Sequence, residues 1–282
     1  MLRQRVITAL VLMALLLPAL LAASPLPFAL FTLALISAAG WEWARLNGLA
    51  TPLPALFSGG LLALLCAASL FNLSHLAQVG QAAGLWWLGT AVWLLGGALA
   101  LRRGPAGWSR LPAWLRWPLG LAGLWLAWLA LAQARTIGIN FLLSVMCVVW
   151  AADISAYFVG RAFGRQKLAP SISPGKSWEG VVGGAAGVLL LAFGWLWLDA
   201  RFSFDSPSLF LLLRQRLGDG GLLLAALLLT ALSVMGDLFE SLVKRAAGAK
   251  DSSALLPGHG GVLDRVDALL PVLPAALALI SL

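Results

Sequence analysis

The chain has 282 residues, of which 61% are hydrophobic and 11% charged, and it carries a formal net charge of +8. That balance is far from the one soluble domains use. It excludes a nucleic-acid-binding module, which would gather its basic residues on a recognisable soluble fold.

Nine apolar segments are long enough to cross a bilayer, approximately 6–23, 26–45, 54–71, 84–101, 117–133, 137–160, 179–198, 221–243 and 266–282. Each approaches the ~20 residues that ~30 Å of hydrocarbon requires. The expected fold is an all-α polytopic integral membrane protein with about nine transmembrane helices. Arg3 and Arg5, the apolar run behind them and Ala22-Ala23-Ser24 resemble a secretory signal peptide. With so many spans following, a retained first helix is the favoured reading. Glu42, within Trp41-Glu42-Trp43, reads as interfacial, as do most of the 14 tryptophans. Cys66 and Cys147 lie inside apolar runs without CxxC spacing, so neither zinc nor a disulfide framework is expected. His75 reads as a solvated residue of an outer loop. Gly104, Pro105, Pro112 and Pro118 mark a boundary between N-terminal membrane helices (1–116) and a C-terminal membrane portion (117–282). The stretch Ser208 to Leu217 reads as an interfacial amphipathic helix. Pro271 and Pro274 make the ninth span the weakest.

Charge placement orients the chain. With a cytoplasmic N-terminus and nine alternating spans, only Arg135, Arg201, Arg214 and Arg216 of the 19 basic residues fall outside. The positive-inside rule favours that arrangement. It puts the polar segments 161–178 and 244–265 on the cytoplasmic side.

The chemistry concentrates near the C-terminus. Asp237, Glu240, Ser241 and Lys244 follow i, i+3, i+4, i+7 spacing and so share one helix face. An i,i+4 ion pair would account for Glu240 and Lys244 but would leave Asp237 without a partner beside hydrocarbon, an unfavourable position. Asp264 and Asp267 repeat the i, i+3 pattern at the start of the ninth span. Three carboxylates converging from two helices form an oxygen-only set that suits Mg²⁺, and two such ions can serve both sides of a displacement at phosphorus. Between the pairs lies Pro257-Gly258-His259-Gly260-Gly261, where glycine permits close approach to a ligand. Lys244, Arg245, Lys250 and Arg265 surround it with the positive charge that a phosphate-rich substrate requires.

The run from Ser241 to Asp267 resembles the signature of the phosphatidate cytidylyltransferases (CDP-diacylglycerol synthases): S-x-x-K-R, four residues, K-D, then H-G-G-x-x-D-R-x-D. Ser241, Lys244, Arg245, Lys250, Asp251, His259, Gly260, Gly261, Asp264, Arg265 and Asp267 occupy its defining positions. A second stretch, Asp153 to Arg161 with Ser171 to Gly180, is similar to the family's other cytoplasmic motifs, D-T-x-A-Y and S-P-K-K-T-W-E-G, and departs from them at Ile154, Ser155, Gly175 and Ser177. The similarity covers roughly 137–270.

The resemblance implies transfer of CMP from CTP to phosphatidic acid, with CDP-diacylglycerol and pyrophosphate as products, for phospholipid synthesis. On that reading Asp237, Asp264 and Asp267 hold Mg²⁺ at two cation sites, one of which a monovalent ion could occupy. Lys244, Arg245 and Lys250 neutralise phosphate charge, Ser241 hydrogen-bonds a phosphate, and His259 orients pyrophosphate or the loop. Asp153, Ser173, Lys176, Glu240, Asp251, Gly260, Gly261 and Arg265 complete the substrate site. A homodimer in the bacterial inner membrane, its active site facing the cytoplasm, is also implied. A CTP-dependent lipid or polyprenol kinase is the nearest rival enzyme and would release CDP instead. CDP-alcohol phosphotransferases are excluded because their D-G-x-x-A-R pattern is absent. A proton-coupled transporter would show internal repeats and a midplane site, whereas these charges gather at one membrane face.

Overall fold

A computed structural model describes residues 2–49, 51–71 and 82–282; His75 lies outside the described residues. Eight helices are long and apolar enough to cross a membrane. They are α1 (Leu2–Leu21), α2 (Leu26–Leu46), α3 (Pro52–Leu70), α4 (Ala83–Arg110), α5 (Ala113–Ile137), α6 (Ile139–Phe163), α7 (Trp178–Arg201) and α8 (Leu209–Ala246). Helix is the only open-ended structure that satisfies every backbone polar group in hydrocarbon. Leu53, Leu64, Leu95, Leu190 and Leu224 are each at least 70% exposed, an outward apolar surface that water would not tolerate and lipid does.

The ninth expected segment forms α9 (Leu263–Val266) and α10 (Leu269–Ile280). Asp267 and Ala268 keep right-handed helical dihedrals, so the two run almost continuously. Pro271 explains the interruption, since it has no N–H to donate to the Asp267 carbonyl. Leu270 N–H donates to it instead, at 3.3 Å. All of α10 is buried, as a helix apolar on every side must be if it is not lipid-facing. It packs against α4, α5, α6 and α8, and so serves as the bundle's inner post.

Two further differences from the sequence expectation concern short elements. Gly218 (φ 70°) breaks α8, because only glycine takes that left-handed conformation cheaply. The segment ahead of it packs one face on the bundle: Leu209, Phe210 and Leu213 are completely buried while Arg214 and Arg216 are exposed, and Ser144 Oγ accepts the Leu209 N–H at 2.8 Å. The second difference is a two-stranded antiparallel ribbon, β1 (Lys167–Ala169) and β2 (Ser173–Ser177), in the polar connection between α6 and α7. Buried Ile172 anchors its turn.

The bundle has two unlike ends. At one, Arg135 of α5 donates to the Leu20 and Ala22 carbonyls at 3.0 and 2.6 Å, satisfying the open C-terminus of α1. At the same end Asp205 accepts from the Ile139 and Asn140 amides at 2.5 and 2.9 Å, capping α6. The Asp199 carboxylate accepts from Ser208 and Asn140. At the other end α2, α4 and α5 meet through tryptophan. Trp43 Nε1 donates to the Arg116 and Trp117 carbonyls, both at 3.2 Å, and Trp108 Nε1 donates to Asn47 at 3.0 Å. Trp43, Trp86, Trp108 and Trp128 are buried, so these four are packing residues instead of interfacial ones.

Arg135→Ala removes two hydrogen bonds from a buried cation and leaves carbonyls open. It should lower stability by about 2 kcal/mol, seen as a reduced midpoint of thermal unfolding in detergent micelles.

Candidate active site

The tryptophan-bearing end also collects the ionisable residues, supplied by five elements. From α8 come Asp237, Glu240, Ser241 and Lys244, one face as the spacing requires. The i,i+4 relation brings Lys244 Nζ to 2.5 Å from Glu240 Oε2 and Ser241 Oγ to 3.4 Å from Asp237 Oδ1. The ribbon delivers Lys176 from β2, placing its Nζ 2.7 Å from Asp237 Oδ2. Asp153 of α6 stands close enough to Lys176 and Asp237 for their charges to interact. Asp267, at the α9–α10 junction, interacts in the same way with Asp237, Asp153 and Lys244. The close crossing follows from Gly236, where a Cβ would come within 2.5 Å of the Asp267 carbonyl oxygen.

Asp264 is engaged differently. Its Oδ1 receives Lys244 Nζ at 2.7 Å. Its Oδ2 accepts from the Ser252 amide at 3.0 Å, the Ser252 hydroxyl at 2.9 Å and the Gly261 amide at 2.8 Å. Burial works to raise its pKa, but the bonds with Glu240, Lys244 and the Gly261 and Ser252 amides outweigh it and hold the carboxyl well below the usual range. It stays ionised and tied to the loop. The sequence thus places Asp237, Asp264 and Asp267 together, and the structure divides them. Asp237 meets Lys176, with Asp153 and Asp267 near Asp237, while Asp264 and Glu240 share Lys244.

The remaining sequence candidates spread around this centre. Arg245 donates to the Ile172 carbonyl at 3.4 Å and the Ala249 carbonyl at 3.3 Å, fastening the ribbon's turn to the end of α8. Arg265 donates through Nε to the His259 carbonyl at 3.0 Å. His259 Nδ1 is buried without a partner. Lys250 and Asp251 are exposed, and Ser173 is half-buried on β2. Gly260 takes a left-handed φ of 86°. Among the described residues no three His, Cys, Asp or Glu side chains form a ready metal cluster. An apolar cavity of about 470 Å³ lies between α4 and α5 with Trp43, Phe239 and Leu270 behind it, and none of the site's carboxylates lines it.

Glu42 is the residue the sequence reading misplaced. It was expected at the interface; it is completely buried at the end of α2. Its Oε1 accepts from Ser253 Oγ at 2.5 Å and Val262 N–H at 3.0 Å, and its Oε2 from Ser252 Oγ at 3.2 Å and Leu263 N–H at 2.7 Å. A Cβ at Gly261 would come within 2.4 Å of Glu42 Oε1 and 1.9 Å of Ser252 Oγ, so this approach requires glycine. The signal was available, because an acid in an apolar helix is expensive wherever it lies. Its tryptophan neighbours pointed to an interface instead.

The sequence model of the cytidylyltransferase family matches residues 3–282. The chain is 40% identical over 282 residues to the phosphatidate cytidylyltransferase of Pseudomonas aeruginosa, covering 99% of this chain and 97% of that protein. It is 36% identical over 297 residues to the protein of the same name from Haemophilus influenzae, covering 97% and 96%. A phosphatidate cytidylyltransferase of Bacillus subtilis is 38% identical over 145 residues, 51% of this chain.

Lys244 compensates two carboxylates, and removing one partner of a buried pair strands the other. Lys244→Met should therefore cost about 3 kcal/mol or more, whereas Glu240→Gln, with Lys244 still paired to Asp264, should cost less than about 1 kcal/mol. Thermal unfolding of both variants in detergent checks the asymmetry.

Proposed function

The chain belongs to the cytidylyltransferase family, and from that membership we propose that it transfers CMP from CTP to phosphatidic acid, releasing pyrophosphate and leaving CDP-diacylglycerol in the membrane. The observation that carries the reading is the junction of two distant motifs at one end of the bundle, where Lys176 meets Asp237 at 2.7 Å. A site at one end of the bundle would suit a lipid whose phosphate sits at the membrane surface while its acyl chains stay in hydrocarbon.

In this reaction a lipid phosphate oxygen forms a bond to the α-phosphorus of CTP as the bond to the bridging β-phosphate oxygen breaks. The attacking phosphate is already ionised, so no strong general base is needed. The protein's task is to hold two anions together and neutralise them. Lys176, Lys244, Lys250 and Arg265 supply positive charge, Ser241 donates a hydrogen bond to phosphate, and the unpartnered His259 Nδ1 is free to orient the leaving pyrophosphate. Arg245 acts at one remove by keeping the ribbon, and so Lys176, in place.

The donor set fits a hard cation at one place. Among the described residues, Asp237 is met only by Lys176 and a long contact from Ser241, and Asp267 accepts only its neighbouring Ala268 amide at 2.8 Å. These two, with Asp153, are oxygen donors with capacity to spare, as Mg²⁺ requires. Asp264, with four bonds inside the protein, is better suited to holding the loop. When bound, Mg²⁺ would supply neutralisation of triphosphate charge. The proposal also takes the site to face the cytoplasm of a bacterial inner membrane, where CTP is made, and the protein to pair as a homodimer through its membrane helices.

Purified protein with CTP, phosphatidic acid and Mg²⁺ should yield CDP-diacylglycerol and pyrophosphate in equal amounts. Chelation should abolish the reaction, and Asp237→Asn or Asp267→Asn should each lower kcat/KM by roughly a hundredfold or more, as loss of charge stabilisation at a reacting phosphate does. Release of CDP in place of pyrophosphate would overturn the reading in favour of a lipid kinase.

A further inference from the structure

We propose that Glu42 is a positioning residue for the reaction: a carboxylate of the second helix that clamps the 252–263 loop and so sets where Asp264 and Asp267 stand. The inference rests on the proposed cytidylyltransferase reaction, but its geometry stands apart from it. Glu42 is completely buried. Among the described residues no cation lies within salt-bridge distance of it. A buried carboxylate without a cation survives only where donors replace its water, and the donors here come from one loop more than 200 residues away: Ser253, Val262 and Leu263, with the single Ser252 hydroxyl proton shared between Glu42 and Asp264. Two of them are consecutive backbone amides at the start of α9, which have no intrahelical acceptor.

The coupling to chemistry is direct in space. Ser252 Oγ lies between two carboxylates, 3.2 Å from Glu42 Oε2 and 2.9 Å from Asp264 Oδ2. The Gly261 amide binds Asp264, and the next two amides bind Glu42. Glu42 and Asp264 thus grip opposite sides of the same turn. Helix α1 adds a lighter hold, with Thr8 Oγ1 donating to the Pro257 carbonyl at 3.1 Å. Without Glu42 the turn loses its anchor to α2, and α9 is free to shift Asp264 away from Lys244. Because the loop carries His259 and leads into the cation-binding carboxylates, the loss should fall on the nucleotide and not on the lipid.

Glu42→Gln tests this. One accepting oxygen becomes an NH₂ group, which cannot accept from Val262 or Leu263 N–H. The variant is compared with wild type and Ser253→Ala in detergent micelles by hydrogen–deuterium exchange and by kinetics with CTP and phosphatidic acid varied separately. Exchange at the Val262 and Leu263 amides should rise, and kcat/KM for CTP should fall about tenfold, the loss expected of one charge-assisted hydrogen bond. The KM for phosphatidic acid should change less than about twofold. Unchanged exchange and kinetics overturn the proposal, as does an equal fall for both substrates in proportion to lost folded protein. Should Glu42→Gln fail to fold, Ser253→Ala keeps the carboxylate and removes one donor; it must show the same one-sided effect on CTP at smaller size, and an even effect refutes the clamp. A wild-type protein that makes no CDP-diacylglycerol refutes the proposed reaction, and the exchange measurement then decides the clamp alone.

Discussion

A carboxylate inside a membrane bundle must find donors within the chain, because hydrocarbon offers none. Glu42 and Asp264 meet that requirement with the same few residues. Ser252 serves both, and three successive amides from Gly261 to Leu263 divide between them. Removing either acid would leave N–H groups open at the start of a helix. The glycine at 261 follows from the same packing, because a Cβ there would run into Glu42 and Ser252.

Around that knot the two ends of the bundle do different work with similar groups. At the far end Asp199, Asp205 and Arg135 close helix termini and are used up in doing so. At the chemical end the accounting is left open: Asp237 and Asp267 retain acceptor capacity, and His259 Nδ1 has no partner. The apolar α10 allows this. By filling the centre of the bundle it leaves the wall of the site to α6, α8 and the ribbon.

The spans were legible in the sequence because hydropathy over some twenty residues reports length directly. The burial of α10 was not. Lipid and protein interior are equally apolar, so nothing in Leu269–Ile280 distinguishes a lipid-facing helix from an inner one. The ribbon escaped notice because β1 and β2 are short and polar, and its register rests on Ile172 and Arg245. Within the site, the faces Asp237–Lys244 and Asp264–Asp267 could be read from spacing. The division of their partners could not, because it depends on Ser252 and on Lys176, which local periodicity does not connect to α8. Glu42 shows the limit most clearly. Its cost could be read locally, but its compensation lies at the other end of the chain.

That distance bears on how the protein is made. The second helix is made well before the donors for its acid, which lie more than 200 residues further along the chain. Until then Glu42 is a liability at the end of a nascent hairpin, tolerable near the head groups and expensive any deeper. Its burial therefore has to wait until the 252–263 loop has been made and docks on α2. Closing that loop would complete both the packing of α2 and the placing of Asp264.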